Sequence, residues 1–540
     1  MHLDDGTLAE SEREKAVALA QQFSSVFQAP SNAVSIRQQI NVNSTEDEFW
    51  CTREWVAAQL EHMNSRKATG VDGIAPVFLK NLYDILAPAV CLLINRSISE
   101  SALPAEWKLA RVAPVRKGSK VSQPADFRPI SIICSIALLA EKHIYSRVRD
   151  QIDSGLPAFQ YGFRRARGTL DALVHAEESI AAGWNVCTTN KRPTNVAVVS
   201  LDLSKAFDTI PHTAILSALG DEFNIAYPLL RWISSFLSGR RQFVRVGTSD
   251  SSCYDVTSGV PQGSILGPLL YIAATSSIQR IQLASDTTIL AYADDLLLIK
   301  PILSSSDLDV LSNDVDKLNE YFNNVGMHFN SGKTAFMLAT LGRPSSRLPV
   351  TLRIGMDQID ESPTLKYLGI NLDRRLSFVD HIKQKAKQAR QMLASVQIPL
   401  RKWRKFKSIH RIYQSCIKPC MTYMLPLLFG VSGQGDYFLQ RVDALAARVS
   451  LNDYTLRVDE LAEKGWATLE SSARSQRMHY ICRQMTGGPL NHRITPSTTR
   501  HSQRLGTIPI LRVQPDYIKG PQRALDTMLR RTCKEWNALK

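Results

Sequence analysis

The chain of 540 residues is longer than one hydrophobic core usually accommodates, and at about 150 residues per domain it predicts roughly three or four packed units. Its 65 Lys and Arg against 50 Asp and Glu give a net charge of +15, which indicates a polyanionic partner, either nucleic acid or an anionic membrane surface. No apolar run is long enough to span a bilayer, the start lacks a signal-peptide pattern, and the nine cysteines include no Cys-x-x-Cys pair, so we expect an intracellular protein without a disulfide framework or zinc knuckle.

The N-terminal third has mainly helical patterns. Residues 1–50 open with a charged, helix-prone stretch and carry no recognisable site. A helical pattern that begins at Thr52 stops at residues 69–73, where two glycines break it. Further helices are predicted to about Ser101, and short strands and loops are predicted between residues 107 and 133.

The pattern changes after Asn195, where a continuous apolar run of strand length ends at Asp202. Further along the chain, Asp294 and Asp295 lie between two apolar runs, which predicts the tip of a β-hairpin. An Asp pair in a turn is usually structural, because Asp is a favoured turn residue. A third carboxylate at the end of a buried strand changes this interpretation, since crowded carboxylates are commonly neutralised by divalent cations. Asp202 and Asp294 could hold two metals about 3.5–4 Å apart, as in-line phosphoryl transfer requires.

Seven short segments stand in order along the chain: Ala68–Ile74, Phe127–Ser131, Gln160–Arg164, Leu201–Asp208, Gly259–Ser264, Tyr292–Asp295 and Tyr367–Ile370. Together they resemble those of one polymerase family, the reverse transcriptases of non-LTR retrotransposons (LINE type, nearest to the Jockey and CR1-like groups). Each independent match lowers the probability of a chance resemblance. Residues 531–539 also resemble the closing segment of these elements.

The resemblance implies an α+β fold with the right-hand architecture of fingers, palm and thumb. The palm would be a ferredoxin-like split β-α-β-β-α-β unit, and the thumb and C-terminal region would be mostly helical. The reverse transcriptase domain would cover about residues 95–375. The expected divisions are an N-terminal approach segment (1–50), fingers (51–190), palm (191–375), a helical basic thumb (376–480) and a basic C-terminal tail (481–540).

The same resemblance implies an RNA-directed DNA polymerase that extends a primer with dNTPs on an RNA template. Asp202 and Asp294 would bind two Mg²⁺ ions, for which Mn²⁺ could substitute. Asp295 would be the third acid at this catalytic and metal-binding site, and Leu203 would offer its backbone carbonyl to a metal. Lys333 would protonate the leaving pyrophosphate, although an ordinary surface lysine is the simpler explanation.

Further residues are implied to contact the incoming nucleotide. Phe207, five residues after Asp202, resembles the aromatic gate that selects deoxynucleotides, and the alternative is a core aromatic residue. Gln262 and Gly263 resemble the segment beside the nascent base pair, where glycine permits close backbone approach. Cations of the fingers would grip the triphosphate, unless they simply lie in a solvated basic loop. These cations are Arg116, Lys117 and Arg128.

A basic segment between Lys383 and Arg411 contains ten Lys and Arg and no acid. As a thumb it would follow the phosphate backbone of the template–primer duplex, although a run of charge usually marks a solvated face. The last fifty residues carry ten Lys and Arg against three acids and would either contact RNA or form a disordered tail. The predicted template–primer contacts are Tyr292, Tyr367, Leu368, Gly369, Lys383, Lys387, Arg401, Lys402, Arg404 and Lys405.

The chain also departs from the family pattern. Residues 274–277 replace the usual aromatic-Ile-Asn-Asp segment, which concerns packing rather than chemistry. No apurinic-type endonuclease, ribonuclease H or Cys/His knuckle is recognisable, so we expect a polymerase fragment or a truncated open reading frame, with target cleavage supplied from elsewhere. We expect no membrane association and no required protein partner, and a location that is nuclear at the site of action or cytoplasmic with its RNA.

Two other functions remain open. A viral-type RNA-dependent RNA polymerase shares the palm carboxylates, but it would be expected to have Gly-Asp-Asp at the hairpin and a polar residue at the sugar gate. Tyr292-Ala293 and Phe207 argue against that class. The third hypothesis is a catalytically inactive, retrotransposon-derived nucleic-acid-binding protein.

Overall fold

The chain divides into two compact units, each assembled from separate stretches of sequence. The first comprises Met1–Pro157, Leu203–Gln282 and Lys317–Phe329, and the second comprises Ala158–Asp202, Leu283–Asp316 and Asn330–Lys540. In the described residues, no helix has the length and apolar character needed to cross a membrane. The computed structural model describes residues 1–2, 7–27, 49–118, 123–186, 194–341, 350–355, 357–402, 406–496, 511–513 and 527–538.

Helices and strands occur along most of the described chain, which confirms the predicted α+β class. In the described part, the helices are α1 (Glu12–Ser24), α2 (Arg53–Glu61), α3 (Pro76–Asn81), α4 (Tyr83–Ser99), α5 (Ala105–Lys108), α6 (Ser135–Gly155), α7 (Thr169–Asn185), α8 (Ala206–Thr209), α9 (His212–Ser217), α10 (Tyr227–Leu237), α11 (Gly267–Ala274), α12 (Ser306–Asn324), α13 (Val379–Lys402), α14 (Phe406–Ile412), α15 (Lys418–Thr422), α16 (Leu425–Leu428), α17 (Gly433–Leu451), α18 (Glu460–Glu463), α19 (Leu469–Met485) and α20 (Met528–Asn537). The strands of the same residues are β1 (Leu109–Arg116), β2 (Phe127–Ile132), β3 (Asn195–Asp202), β4 (Arg240–Val246), β5 (Ser249–Asp250), β6 (Tyr254–Val256), β7 (Thr288–Tyr292), β8 (Asp295–Ile302), β9 (Ala335–Ala339), β10 (Thr351–Ile354), β11 (Asp357–Asp360), β12 (Thr364–Tyr367), β13 (Ile370–Asp373), β14 (Ile494–Pro496) and β15 (Leu511–Val513).

The second unit contains a four-stranded sheet in the order β7-β8-β3-β9. Each neighbouring pair is antiparallel. Counted along the chain, these four strands lie in the order 2-3-1-4, with helices between the first and second and between the third and fourth. This is the predicted split β-α-β-β-α-β arrangement, so the ferredoxin-like palm is confirmed.

The continuous apolar sequence of β3 follows from its central position in the sheet, between β8 and β9. Val196 to Val199 and Leu201 are fully buried. The residues of β3 at 196 and 198 share a core with α7, in which Trp184 donates a hydrogen bond to the backbone oxygen of Ala339 at 3.2 Å. A strand that is covered on both faces needs a continuous apolar run rather than an alternating one, and β3 has one.

The first unit contains a sheet in the order β2-β1-β4-β5, with β6 also paired to β4. Helix α1 packs on this sheet, and its Leu19 and Phe23 share a small core with Val112 and Val244. The helix begins at Ser11, whose side chain and that of Glu14 form a reciprocal capping box. Residues of the expected approach segment therefore form an integral part of this unit, which the sequence patterns did not indicate.

The region after β13 is mostly helical, as predicted for the thumb and C-terminal region. Helix α20 is part of the core of the second unit through Met528, Leu529 and Cys533. Its first backbone N–H, at Met528, donates to a carboxylate oxygen of Glu177 on α7 at 2.7 Å. A disordered tail is therefore the wrong interpretation for Met528–Asn537, whereas the residue boundaries expected for fingers, palm and thumb stay predictions.

Candidate active site

The hairpin between β7 and β8 carries the Asp pair, as predicted. Tyr292 pairs with Asp295, so that Ala293 and Asp294 form a two-residue turn. Ala293 has a φ of 58°, which is uncommon for a residue with a side chain. The side-chain oxygen of Gln160 accepts the backbone N–H of Ala293 at 3.0 Å and that of Gly162 at 2.8 Å. A buried side chain from the Gln160–Arg164 segment therefore holds the strained turn in place.

Gly162 has a matching steric role. A Cβ added at this glycine would lie 2.4 Å from the backbone nitrogen of Ala293. Ala291, near the end of β7, is also bonded to this part of the chain: its backbone oxygen accepts the N–H of Tyr161 at 2.8 Å, and its own N–H donates to the backbone oxygen of Phe159 at 2.9 Å. The sequence resemblance named this segment without a role, and the structure gives it one as the support of the hairpin.

The three carboxylate-bearing residues lie at one end of the palm sheet. The register of β3 and β8 sets Asp202 directly opposite Asp295, and Asp294 precedes Asp295 in the turn. Burial, followed by the negative charges of Asp294 and Asp202, raises the pKa of Asp295 to about 6, while Lys333 and Lys366 act in the opposite direction. Negative charge is therefore crowded at this edge of the sheet.

Lys333 is brought to the same edge by the loop that enters β9. Its ammonium group donates to Oδ2 of Asp202 at 3.1 Å, and its side chain remains 66% exposed. The same loop is anchored to β3, because the backbone nitrogen of Asn330 donates to the backbone oxygen of Asp202 at 2.8 Å. The structure thus gathers Asp202, Asp294, Asp295 and Lys333, although Lys366 was not among the residues expected there.

The chemistry of this donor set fits a hard divalent cation. Carboxylate oxygens are the ligands that Mg²⁺ prefers in proteins, and burial together with the negative charges of Asp294 and Asp202 raises the pKa of Asp295. Across the described parts of the chain, however, no group of three His, Cys, Asp or Glu side chains is arranged to hold a metal ion. The structure therefore supplies suitable ligand atoms without a formed coordination cage.

The predicted nucleotide residues Phe207, Gln262 and Gly263 belong to the first unit. The ring of Phe207 is partly exposed and stacks on that of Tyr271, with 4.5 Å between centroids and 24° between planes. Gly263 has a φ of 128°, and a Cβ there would lie 2.5 Å from the backbone oxygen of Ser131. The expected close backbone approach at Gly263 is present.

The predicted triphosphate cations lie on or beside the β1–β2 hairpin. Arg116 pairs with Phe127, and Arg128 pairs with Val115. Both arginine side chains are exposed. Lys117 follows β1, and its ammonium group donates to the backbone oxygen of Ala125 at 2.7 Å, so it is tied to its own loop. All three cations thus lie on or beside one hairpin of the first unit.

Leu203 is buried, and its backbone forms a single β-bridge with Phe329.

Tyr292 is partly buried, whereas Tyr367 is only 2% exposed and its hydroxyl has no hydrogen-bond partner among the described residues. Leu368 and Gly369 form the turn between β12 and β13. Tyr367 therefore has little side-chain surface to offer nucleic acid, and its turn is the more accessible part.

Lys383 and Lys387 lie on α13 and line a groove that α17 completes. Arg401 and Lys402 end α13, but their side chains lie outside the described residues. Arg404 and Lys405 lie wholly outside the described residues.

Residues 115–372 match the reverse transcriptase (RNA-dependent DNA polymerase) family. These residues form a reverse transcriptase domain. They fall within the range 95–375 that the motifs indicate, and they contain the Asp202, Asp294 and Asp295 cluster.

Two relatives from Drosophila melanogaster confirm the resemblance of this reverse transcriptase domain to those of non-LTR elements. A probable RNA-directed DNA polymerase from transposon BS is 27% identical over 472 residues, which cover 82% of this chain and 50% of the relative. The RNA-directed DNA polymerase from mobile element jockey is 28% identical over 410 residues, which cover 74% of this chain and 43% of the relative. The chain thus spans half or less of the length of these two relatives.

Among solved structures, the chain is similar to the telomerase of Candida albicans, which was solved in complex with a fragment of telomeric RNA. The match covers 72% of this chain and 68% of the telomerase chain, with 10% sequence identity and a TM-score of 0.39.

Proposed function

We propose that the chain is an RNA-directed DNA polymerase of a non-LTR retrotransposon, which extends a primer with dNTPs on an RNA template. The observation that carries the proposal is the register of β3 and β8, which sets Asp202 opposite Asp295 with Asp294 in the adjoining turn. A nuclear site of action follows if the primer is chromosomal DNA, and the RNA template could accompany the protein from the cytoplasm.

Asp202 and Asp294 would hold two Mg²⁺ ions, or Mn²⁺ in their place, with Asp295 and the carbonyl of Leu203 as further oxygen ligands. Reverse transcriptases use divalent metal ions, which when bound activate the primer 3′-hydroxyl and neutralise charge on the triphosphate. The Nζ of Lys333 lies 3.1 Å from Oδ2 of Asp202, and we propose that it donates a proton to the leaving pyrophosphate.

Nucleotide selection is proposed for the residues of the first unit. The stacking of Phe207 on Tyr271 holds the gate ring in one orientation, and a fixed ring excludes a 2′-hydroxyl better than a mobile one. The exposed guanidinium groups of Arg116 and Arg128, together with Lys117, would bind the triphosphate.

Template and primer would contact the groove between α13 and α17, which has a volume of about 540 Å³. Tyr437 is 55% exposed beside this groove, and the Arg441 guanidinium lies 5.4 Å from the centre of its ring. A basic groove with an exposed aromatic ring suits phosphates and stacked bases. The cations that line the groove are Lys383, Lys387, Arg390, Arg441 and Arg448.

The test is primer extension on a homopolymer RNA template with Mg²⁺, in which dNTPs are compared with NTPs. We expect DNA synthesis by the unmodified chain and a loss of at least about 10³-fold in Asp294→Ala, because one of the proposed metal ligands is removed. Asp360→Ala, at an exposed position of β11 in the same unit, should retain full activity.

Circular dichroism and RNA binding of Asp294→Ala separate loss of chemistry from loss of folding, and Asp294→Asn provides a milder substitution. RNA binding without synthesis by the unmodified chain would refute the polymerase proposal in favour of an inactive binding protein. Preferential incorporation of NTPs would instead indicate an RNA-dependent RNA polymerase.

A further inference from the structure

Helix α8 and the loop over residues 258–264 are joined by a dense set of backbone contacts. The backbone N–H of Val260 donates to the backbone oxygen of Phe207 at 2.8 Å. The hydroxyl of Ser258 donates to the backbone oxygen of Asp208 at 2.9 Å. Gly259 has a φ of 77°, and a Cβ there would lie 2.5 Å from the backbone oxygen of Phe207. The loop is therefore seated directly on the backbone of α8.

The side chain of Gln262 is held from the same helix. Its Nε2 lies 2.9 Å from both carboxylate oxygens of Asp208. Its backbone oxygen accepts the N–H of Ser131 on β2 at 2.7 Å. Gln262 is thus fixed at both ends, by β2 through its backbone and by Asp208 through its side chain.

Both carboxylate oxygens of Asp208 are within hydrogen-bond distance of the NH₂ group of Gln262. Burial raises the pKa of Asp208 to about 6, against the lowering effects of the Gln262 hydrogen bond and of the Lys205 and Lys117 charges. An ionised carboxylate only accepts hydrogen bonds, so it selects the NH₂ end of the amide. The carbonyl oxygen Oε1 of Gln262 must then be the end that is left for other partners.

We propose that Asp208 is a positioning residue, which fixes the orientation of the Gln262 amide and through it the binding of the incoming nucleotide. The inference rests on the proposed polymerase function, in which Gln262 lies beside the nascent base pair. Asp208 would also connect the two proposed nucleotide contacts, since it holds Gln262 and directly follows Phe207 in α8.

The substitution Asp208→Asn tests this role with almost no change in shape. An Asn side chain can accept from Nε2 of Gln262 or donate to its Oε1, so both orientations of the glutamine amide become possible. We expect the KM for dNTPs to rise about tenfold, with kcat changed by less than about threefold, since one hydrogen bond to a charged group is lost. Asp255→Asn, at an exposed position of β6 in the same unit, should leave both constants unchanged.

A double-mutant cycle with Gln262→Ala distinguishes positioning from a purely structural role. If Asp208 acts through Gln262, Asp208→Asn should change KM by less than about twofold once the glutamine amide is absent. An equal effect of Asp208→Asn in both backgrounds, or no effect on KM in the unmodified background, would overturn the proposal. Thermal denaturation of each variant checks that the unit remains folded.

The equilibrium dissociation constant of dTTP is then measured for the same four proteins of the double-mutant cycle. This measurement requires no catalysis. A chain that binds dTTP but makes no DNA would defeat the polymerase proposal, while coupling between Asp208 and Gln262 in dTTP affinity would still support the positioning role. Additive effects on dTTP affinity, or the absence of dTTP binding, would refute it.

Discussion

Glu141 is a carboxylate that is only 1% exposed, on helix α6. It accepts the backbone N–H groups of Ile265 and Leu266 at 2.7 and 3.3 Å, just after the loop that carries Gln262. Burial raises its pKa to about 7, although the charge of Arg240 and these two hydrogen bonds lower it. Proton binding is therefore stronger in the folded state than in the unfolded chain, where a Glu titrates near its ordinary value.

A group with a raised pKa stabilises the fold fully below its unfolded pKa and loses that contribution as the pH rises through its folded pKa. We therefore expect the free energy of unfolding to fall between pH 5 and pH 8 by about 3 kcal/mol more in the unmodified protein than in Glu141→Gln, which cannot ionise. Urea denaturation at several pH values measures this difference. Parallel pH profiles for the two proteins would contradict it.

At the level of single residues, the sequence predicted which carboxylates lie together because each ends a strand or occupies a turn. Asp202 and Asp294 were predicted in this way. The contact of Asp208 with Gln262 was not, since a hydrogen bond between side chains 54 residues apart depends on how α8 and a loop pack. The support of the hairpin by Gln160 was also missed, although the segment that contains it was recognised.

At the level of elements, continuous apolar patterns were the reliable signals. The run that forms β3 and the two runs beside the Asp pair predicted β3, β7 and β8 correctly, because a buried strand needs such a run along its whole length. The packing of helices α1 and α20 was less predictable, although the stretch that contains α1 was expected to be helix-prone and does form a helix. Which of their apolar side chains are buried becomes clear only when the surface that covers them is known.

Helix α20 provides a prediction at this scale. Arg477 of α19 is buried, and its Nε donates to Glu535 of α20 at 2.8 Å. Removal of Glu535 would leave a buried guanidinium without its countercharge, so we expect Glu535→Ala to lower the free energy of unfolding by about 3 kcal/mol. Asp380→Ala, which breaks an exposed pair with Lys383 in the same unit, should cost less than about 0.5 kcal/mol. Equal losses in urea denaturation would mean that α20 contributes no more than a surface ion pair.

For the whole molecule, the net charge of +15 and the α13–α17 groove predict that RNA affinity depends steeply on salt concentration. Each phosphate that a cation neutralises releases counterions, so the logarithm of the association constant falls linearly with the logarithm of the salt concentration. For single-stranded RNA the slope is about −0.7 per phosphate, and five groove cations would give about −3.5 if all of them make contact.

Fluorescence anisotropy with a labelled single-stranded RNA between about 50 and 200 mM salt measures this slope. Arg441→Gln should make it shallower by about 0.7, with similar weakening for different RNA sequences, because a phosphate contact carries no sequence information. Arg474→Gln, at an exposed position of α19 that does not line the groove, is the matched control and should leave the slope unchanged. Equal changes in the two variants would mean that net charge alone, rather than the arrangement of cations along α13 and α17, determines the affinity for RNA.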